Sequence, residues 1–180
     1  KADCSGLSAE NYEIASSSVM STFRVSKKSI SLSASEIPEG KELSKVYDGN
    51  TDVPAEVLDM VKNNQSDYFT FTGVIGKDSV NLLNTFTGKF DRSSVKMDEY
   101  PGAEKITLTG LLLDNPNYTL TDTSFDIPAS VTQKGITVKV NGASYVYGTK
   151  LSDMSFTVTG TGLVSGEKLS DIAEFSFVSY

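Results

Sequence analysis

A mostly β fold, built as two small tandem β-rich modules, is what this 180-residue sequence predicts. Short apolar runs alternate with Ser, Thr and Asn in the period of two that a half-buried strand shows. Gly and Asn interrupt those runs at turn-like spacing. The same order of motifs also occurs twice, about a hundred residues apart. Short strands with frequent turns suit an Ig-like sandwich, and a hairpin followed by a short helix suits a β-grasp-like unit. At most one short helix is expected, near 53–63.

Taken in chain order, "KKSISLSAS" (27–35) alternates as a strand and leads to a tyrosine turn, "KVYDGNT" (45–51). In "VPAEVLDMVKN" (53–63), Pro54 stands near a helix start and Val57, Leu58 and Val61 fall on one helical face. "KITLTGLLL" (105–113), "GITVKV" (135–140), "SFTVTG" (155–160) and "EFSFVSY" (174–180) read as strands. "VKVNGASYVYG" predicts a hairpin over Asn141-Gly142, which would place Tyr145 and Tyr147 on one face of its second strand.

Internal similarity sets the expected organisation. "GLSAENYEI" (6–14) matches "GLLLDNPNYTL" (110–120), "KKSISLSAS" matches "QKGITVKV" (133–140), and "KVYDGNT" matches "YVYGTK" (145–150). "YFTFTGVIGKDSVNL" (68–82) in turn matches "SFTVTGTGLVSGEKL" (155–169). Residues 27–130 therefore read as one complete module, 131–180 as a partial one, and 1–26 as the tail of a preceding unit. That tail resembles the piece the C-terminal module lacks, so it is expected to complete that module, within the chain or by exchange between neighbours. Cys4 aligns with Leu108, which favours a buried structural thiol. Tyr12, Tyr47, Tyr118 and Tyr147 occupy equivalent places and are expected to pack within their modules.

Composition excludes several functions. The chain has no His and no Trp, and Cys4 is its only cysteine. Ser-His-Asp triads, Cys-His pairs and His-based metal sites therefore lack their residues. The net charge of −7 argues against nucleic acid as a partner, and no apolar run has the length that bilayer insertion needs.

The motifs "KVYDGNT", "FTGVIGKDSV", "TLTGLLLDNPNYTL", "ITVKV" and "YVYG" followed by "TGLVSGEKL" resemble the YDG-type and MBG-type tandem repeat modules of bacterial cell-surface adhesins. The resemblance implies an extracellular β-rich module without catalytic residues or cofactors, serving as a stalk or spacer whose partners are neighbouring modules of the same protein. The alternative is a binding module that itself contacts a host glycoprotein, polysaccharide or matrix protein. "VPAEVLDMVKNN" is longer and more helical than such a unit leads one to expect.

Four places invite a sharper chemistry. Asp48, Asn50, Asp52 and Asp59 match four ligand positions of a calcium loop, although Val53 stands where the loop needs Gly and the second copy lacks the acidic ladder. A plain Asp-Gly turn is the competing and preferred reading. Asp98-Glu99, Glu36/Glu39 and Asp122/Asp126 are carboxylate pairs of the kind glycosidases use, if any two face each other across a cleft. Lys45, Lys105 and Asn117 are the residue types of a Lys–Asn isopeptide crosslink, which would need burial beside an acid. Tyr68, Tyr100 and Tyr145 lie outside the matched tyrosine pairs and are the candidates for ligand contact, since exposed aromatics anchor interfaces.

Overall fold

The computed structural model describes residues 2–3, 18–19, 22–95 and 104–175. β1 (Ala2–Asp3) and β2 (Ser18–Val19) pair antiparallel. In β3 (Lys28–Ala34) the alternate residues Ile30 and Leu32 turn inward, as the two-residue period requires. β4 (Leu43–Val46) alternates likewise, burying Leu43 and Lys45.

α1 (Ala55–Asn63) starts directly after Pro54, whose φ of −55° suits a helix entry. Glu56 in its first turn and Lys62 in its last complement the helix dipole. Val57 and Val61 form its buried stripe; burying one such side chain contributes about 1.5–3 kcal/mol. A single further turn, α2 (Gln65–Tyr68), runs into β5 (Phe69–Thr72). Beyond these lie β6 (Thr87–Phe90), β7 (Lys105–Thr109), β8 (Tyr118–Leu120), β9 (Ser124–Thr132), β10 (Thr137–Asn141) and β11 (Thr157–Thr161).

The fold is mostly β. One sheet has the order β5-β3-β8 and a second the order β4-β9-β7-β6. β3 pairs antiparallel with β5 but parallel with β8, and β4 runs parallel to β9. These parallel pairings and the helix α1, buried along one face, set the fold apart from an all-antiparallel sandwich. Pro128 sits where β9 hands over from β7 to β4, a place in a central strand where a residue without an N–H is tolerated. Both sheets and α1 share one core, formed by Leu32, Leu43, Val61, Phe86, Leu108 and Ile127 among others.

β10 and β11 form a separate antiparallel hairpin with the register of β3 and β5. Ser31 faces Thr72 in the first copy, and Thr137 faces Thr161 in the second. Each second strand ends on a left-handed glycine, Gly73 at φ 95° or Gly162 at φ 94°. A tight turn comes next in both, closed by Asp78 N–H to the Ile75 carbonyl and by Glu167 N–H to the Val164 carbonyl, each 3.1 Å. The sequence match that puts Phe69 on Phe156 is thus displaced by two residues in space.

The Asn141-Gly142 hairpin does not form. β10 pairs with β11 rather than with the residues just after the dipeptide, and neither Asn141 nor Gly142 has a positive φ. Tyr145 is tied instead to Ser155, donating to its carbonyl at 2.5 Å and accepting its N–H at 2.6 Å. That tether closes the connection between Tyr145 and Ser155, which includes a 3-10 turn at Leu151–Asp153.

Candidate functional site

The bend after β4 gathers the residues that suggested calcium, and it already holds a cation. Lys45 alternates inward with Leu43, so its stem is buried and its side chain is only 1% exposed. A buried ammonium without partners is costly. Here Nζ donates to Asp48 Oδ1 at 2.7 Å, the Asn50 carbonyl at 2.7 Å and the Asp52 carbonyl at 3.0 Å, with Asn50 Oδ1 at 3.4 Å. The Phe90 ring lies 5.1 Å away on another side. Asp48 and Asn50 each also accept a backbone N–H two residues on, which curls the chain around the ammonium. The hydrogen bond from Lys45 comes first among the causes that hold the Asp48 carboxyl below its ordinary pKa.

The four calcium-loop candidates do not gather at one point. Asp48 and Asn50 surround Lys45, the Asp52 carboxylate pairs with Lys89 on β6, and Asp59 stands exposed on α1. Among the described residues no group of three or more acidic, His or Cys side chains is placed to hold a metal ion.

Tyr47 and Gly49, on either side of Asp48, reach the turn that follows the hairpin of the second copy. The Tyr47 hydroxyl donates to Glu167 Oε1 at 2.5 Å, and this bond leads the causes that raise the tyrosine's pKa. Gly49 has φ +81°, and a Cβ there would lie 2.8 Å from Val164 Cγ1, so both backbone and space call for glycine. Glu167 holds its own turn as well, accepting the Val164 N–H at 3.2 Å.

The first copy uses the equivalent acid differently. Tyr118 at the start of β8 is buried; it donates to Asp78 Oδ2 at 2.5 Å and accepts the Ile75 N–H at 3.1 Å. The bond to Asp78 is the main cause of its raised pKa. Asp78 and Glu167 therefore each receive a tyrosine, one from within its own core and one from the bend of the preceding segment. Aligning the two turns by their glycines would have exposed this shared carboxylate in the sequence.

The remaining candidates separate. Tyr68 is a core residue, 1% exposed, with its hydroxyl on the Lys41 carbonyl at 3.0 Å, which corrects its assignment as a contact residue. It ends α2 at the junction with β5, and that junction turns its ring inward. Tyr100, the Asp98-Glu99 pair, Cys4 and Tyr12 lie outside the described residues. Tyr145 is partly exposed and borders an open cleft of about 650 Å³ with Val140, Met154 and Phe156. Tyr147 is fully exposed rather than packed.

Glu36 and Glu39 are exposed along the connection from β3 to β4. Asp122 and Asp126 have structural partners: Asp122 Oδ2 accepts the Leu32 N–H, while Asp126 binds Lys105 and Thr107. Their pairing lowers the Asp126 pKa and raises that of Lys105. The isopeptide trio is not assembled either. Lys105 is half-buried in its ion pair with Asp126, Asn117 is exposed, and only Lys45 is buried.

No curated protein and no solved structure matches the chain. A family model described as the YDG domain matches residues 32–125, just over half of the chain. The matched range runs from β3 into β9 and includes the bend, α1 and most of the shared core.

Proposed function

The chain belongs to the YDG domain family, and from that premise we propose that it is a non-catalytic repeat segment of a secreted or cell-surface bacterial adhesin, acting as a stalk or spacer. The observation that carries this reading is the junction of Tyr47 and Gly49 with Glu167 and Val164. A bend within one unit grips the turn of the next, the kind of nearest-neighbour contact on which stacked modules rely. The carboxylates weighed as catalytic pairs support it too, because the described ones serve as hydrogen-bond and ion-pair partners or lie exposed on a loop. Neighbouring modules of the same protein are its partners in this reading, and its place is outside the cell.

One observation favours a second reading, a module that itself binds a host glycoprotein, polysaccharide or matrix protein. Tyr145 borders an open cleft beside the exposed Val146 and Tyr147, and aromatic residues at a cleft are common anchors. Antibody labelling of intact cells before and after surface proteolysis, paired with binding of the purified chain to glycan and matrix-protein arrays, separates the two. A spacer is labelled only before proteolysis and gives no saturable binding. Saturable binding weakened by Tyr145→Ala establishes the second reading, and an intracellular location overturns both.

A further inference from the structure

The turn that Asn141-Gly142 does not make leaves the dipeptide open to a different chemistry. β10 ends at Asn141, whose ladder partner is Thr157, and Gly142 follows outside the strand. Both residues are exposed. A Cβ at Gly142 would meet nothing within 4 Å, and its φ is not positive. Among the described residues, neither the Asn141 carboxamide nor the Gly142 N–H has a hydrogen-bond partner. A carboxamide carbon and the backbone nitrogen that follows it can close a five-membered ring, and a nucleophile tethered in this way has a high effective concentration.

The first hairpin shows what restrains such a position. Ser35 stands where Asn141 stands, and its N–H donates to the Tyr68 carbonyl at 3.1 Å beside a buried strand. Ile30 and Leu32 of that strand are 2% and 8% exposed, whereas Ile136 and Val138 at the matching positions are 40% and 41% exposed. Phe86 and Phe175, equally far beyond Gly73 and Gly162, are 0% and 40% exposed. The first copy is closed and the second is open, so the end of β10 is the less confined of the two.

The other described asparagines are restrained at the reacting atoms. Asn115 precedes Pro116, which has no N–H to react. The N–H after Asn63 donates to the Val61 carbonyl at 3.4 Å, that after Asn81 to Gln65 Oε1 at 2.8 Å, and that after Asn117 to the Asn115 carbonyl at 3.3 Å. The Asn64 carboxamide donates to the Met60 carbonyl at 2.9 Å. Asn50 and Asn84 each precede a threonine, whose branched Cβ crowds the approach. Asp48-Gly49 shares the glycine, but its carboxylate is paired with Lys45 at 2.7 Å, and an ionised carboxylate resists nucleophiles.

We propose that Asn141 is a site of spontaneous covalent modification, where the folded chain converts asparagine to aspartate and isoaspartate. The Gly142 nitrogen gives up its proton and bonds to Asn141 Cγ, and the bond from Cγ to Nδ2 breaks. Ammonia leaves with that proton, and a cyclic imide remains. Water then adds to one imide carbonyl and breaks its bond to the ring nitrogen. One opening yields aspartate and the other isoaspartate. Asn141 and Gly142 line the same cleft as Tyr145 and Glu174. The product therefore adds a second carboxylate to that cleft, and its isoaspartate form lengthens the main chain by one methylene where β10 ends. The inference depends on neither reading of the function.

Peptide mapping of the folded full chain, sampled during incubation at mildly alkaline pH and body temperature, tests this. The peptide containing Asn141 should gain one mass unit and accept methyl groups from an isoaspartyl methyltransferase. Its rate should exceed that of every other asparagine by at least about tenfold. Gly142→Ala should slow it about tenfold, because the added Cβ obstructs the nitrogen, while the open surroundings let the variant fold. The same measurement in guanidinium chloride gives the unrestrained rate, and the folded chain should lie within about threefold of it. A folded rate slower than that, faster conversion at another asparagine, or indifference to Gly142→Ala overturns the proposal.

Discussion

Tyr47 is partly buried with its hydroxyl on Glu167, whereas Tyr147, in the matching bend, is fully exposed. The two bends also differ one strand step earlier. Lys45 points inward from β4, and its counterpart Tyr145 lies in a loop, tied to Ser155. The oxygen ladder accompanies the lysine. Where Lys45 is present, Asp48, Asn50 and Asp52 turn oxygens toward it; where tyrosine replaces it, "YGTK" has no Asp or Asn. The acidic pattern is therefore the shell of a buried ammonium, and it disappears with that ammonium. A bend's surroundings depend on the next unit along the chain, and Tyr147 has no Glu167 ahead of it among the described residues.

The contrast between a closed copy and an open copy is most sharply broken by a pair of core truncations. Phe86→Ala should destabilise the chain by about 3–5 kcal/mol in urea denaturation, because it empties a filled site. Phe175→Ala should cost less than about 1 kcal/mol, since its ring is already part-solvated. Equal costs would mean that the second hairpin has a core of its own.

Next in size is the shell of Lys45. Asp48→Ala removes one partner of a buried ammonium, but the carboxylate is 40% exposed, so a cost of about 1 kcal/mol is expected after solvent screening. The Asp48 pKa is depressed in the folded state. Its contribution is thus fully present above the ordinary carboxylate range near pH 4 and lost as pH falls through the folded value. Denaturation curves of parent and variant should converge in that acid window. A gap that persists in acid would place the effect elsewhere than in the ionised pair.

The two tyrosine bends give a smaller contrast. Tyr47→Phe should speed hydrogen exchange at the Val164 and Glu167 amides several-fold by freeing the turn they close, while Tyr147→Phe should leave exchange unchanged. Exchange that responds equally to both would dissolve the distinction between them. Smallest of all, millimolar calcium should move the melting temperature by less than about 1 °C, because the oxygens a divalent ion would need already face an ammonium. A clear calcium-dependent rise that Asp48→Ala abolishes would reverse that account.

Local pattern carried much of the fold. The strands at 105–109, 137–141 and 157–161 come from alternation, and the helix at 55–63 comes from Pro54 and the Val57–Val61 spacing. The match that sets Phe69 on Phe156 misses by two residues, because a two-residue slip leaves every side chain on the same face and the pattern unchanged. The Asn-Gly hairpin was misleading for a related reason. A turn dipeptide states what the backbone tolerates there, but β10 obtained its ladder from residues 157–161 instead. Within the candidate site, Asp48, Asn50 and Asp52 were legible as a cluster, and the cation they serve was not. A lysine between apolar residues looks solvated until the sheet turns it inward.

Periodicity, turn residues and the internal match are properties of neighbouring residues, so the sequence alone determined a mostly β chain with one principal helix and a doubled plan. Which surfaces meet depends on contacts far apart along the chain, and only the tertiary structure decided those. It buried Tyr68, set the Lys45 ammonium among oxygens, seated Tyr47 on Glu167 and left Ile136 and Val138 partly uncovered. Alternation shows which face of a strand is apolar, but the cover over that face is supplied by another part of the fold.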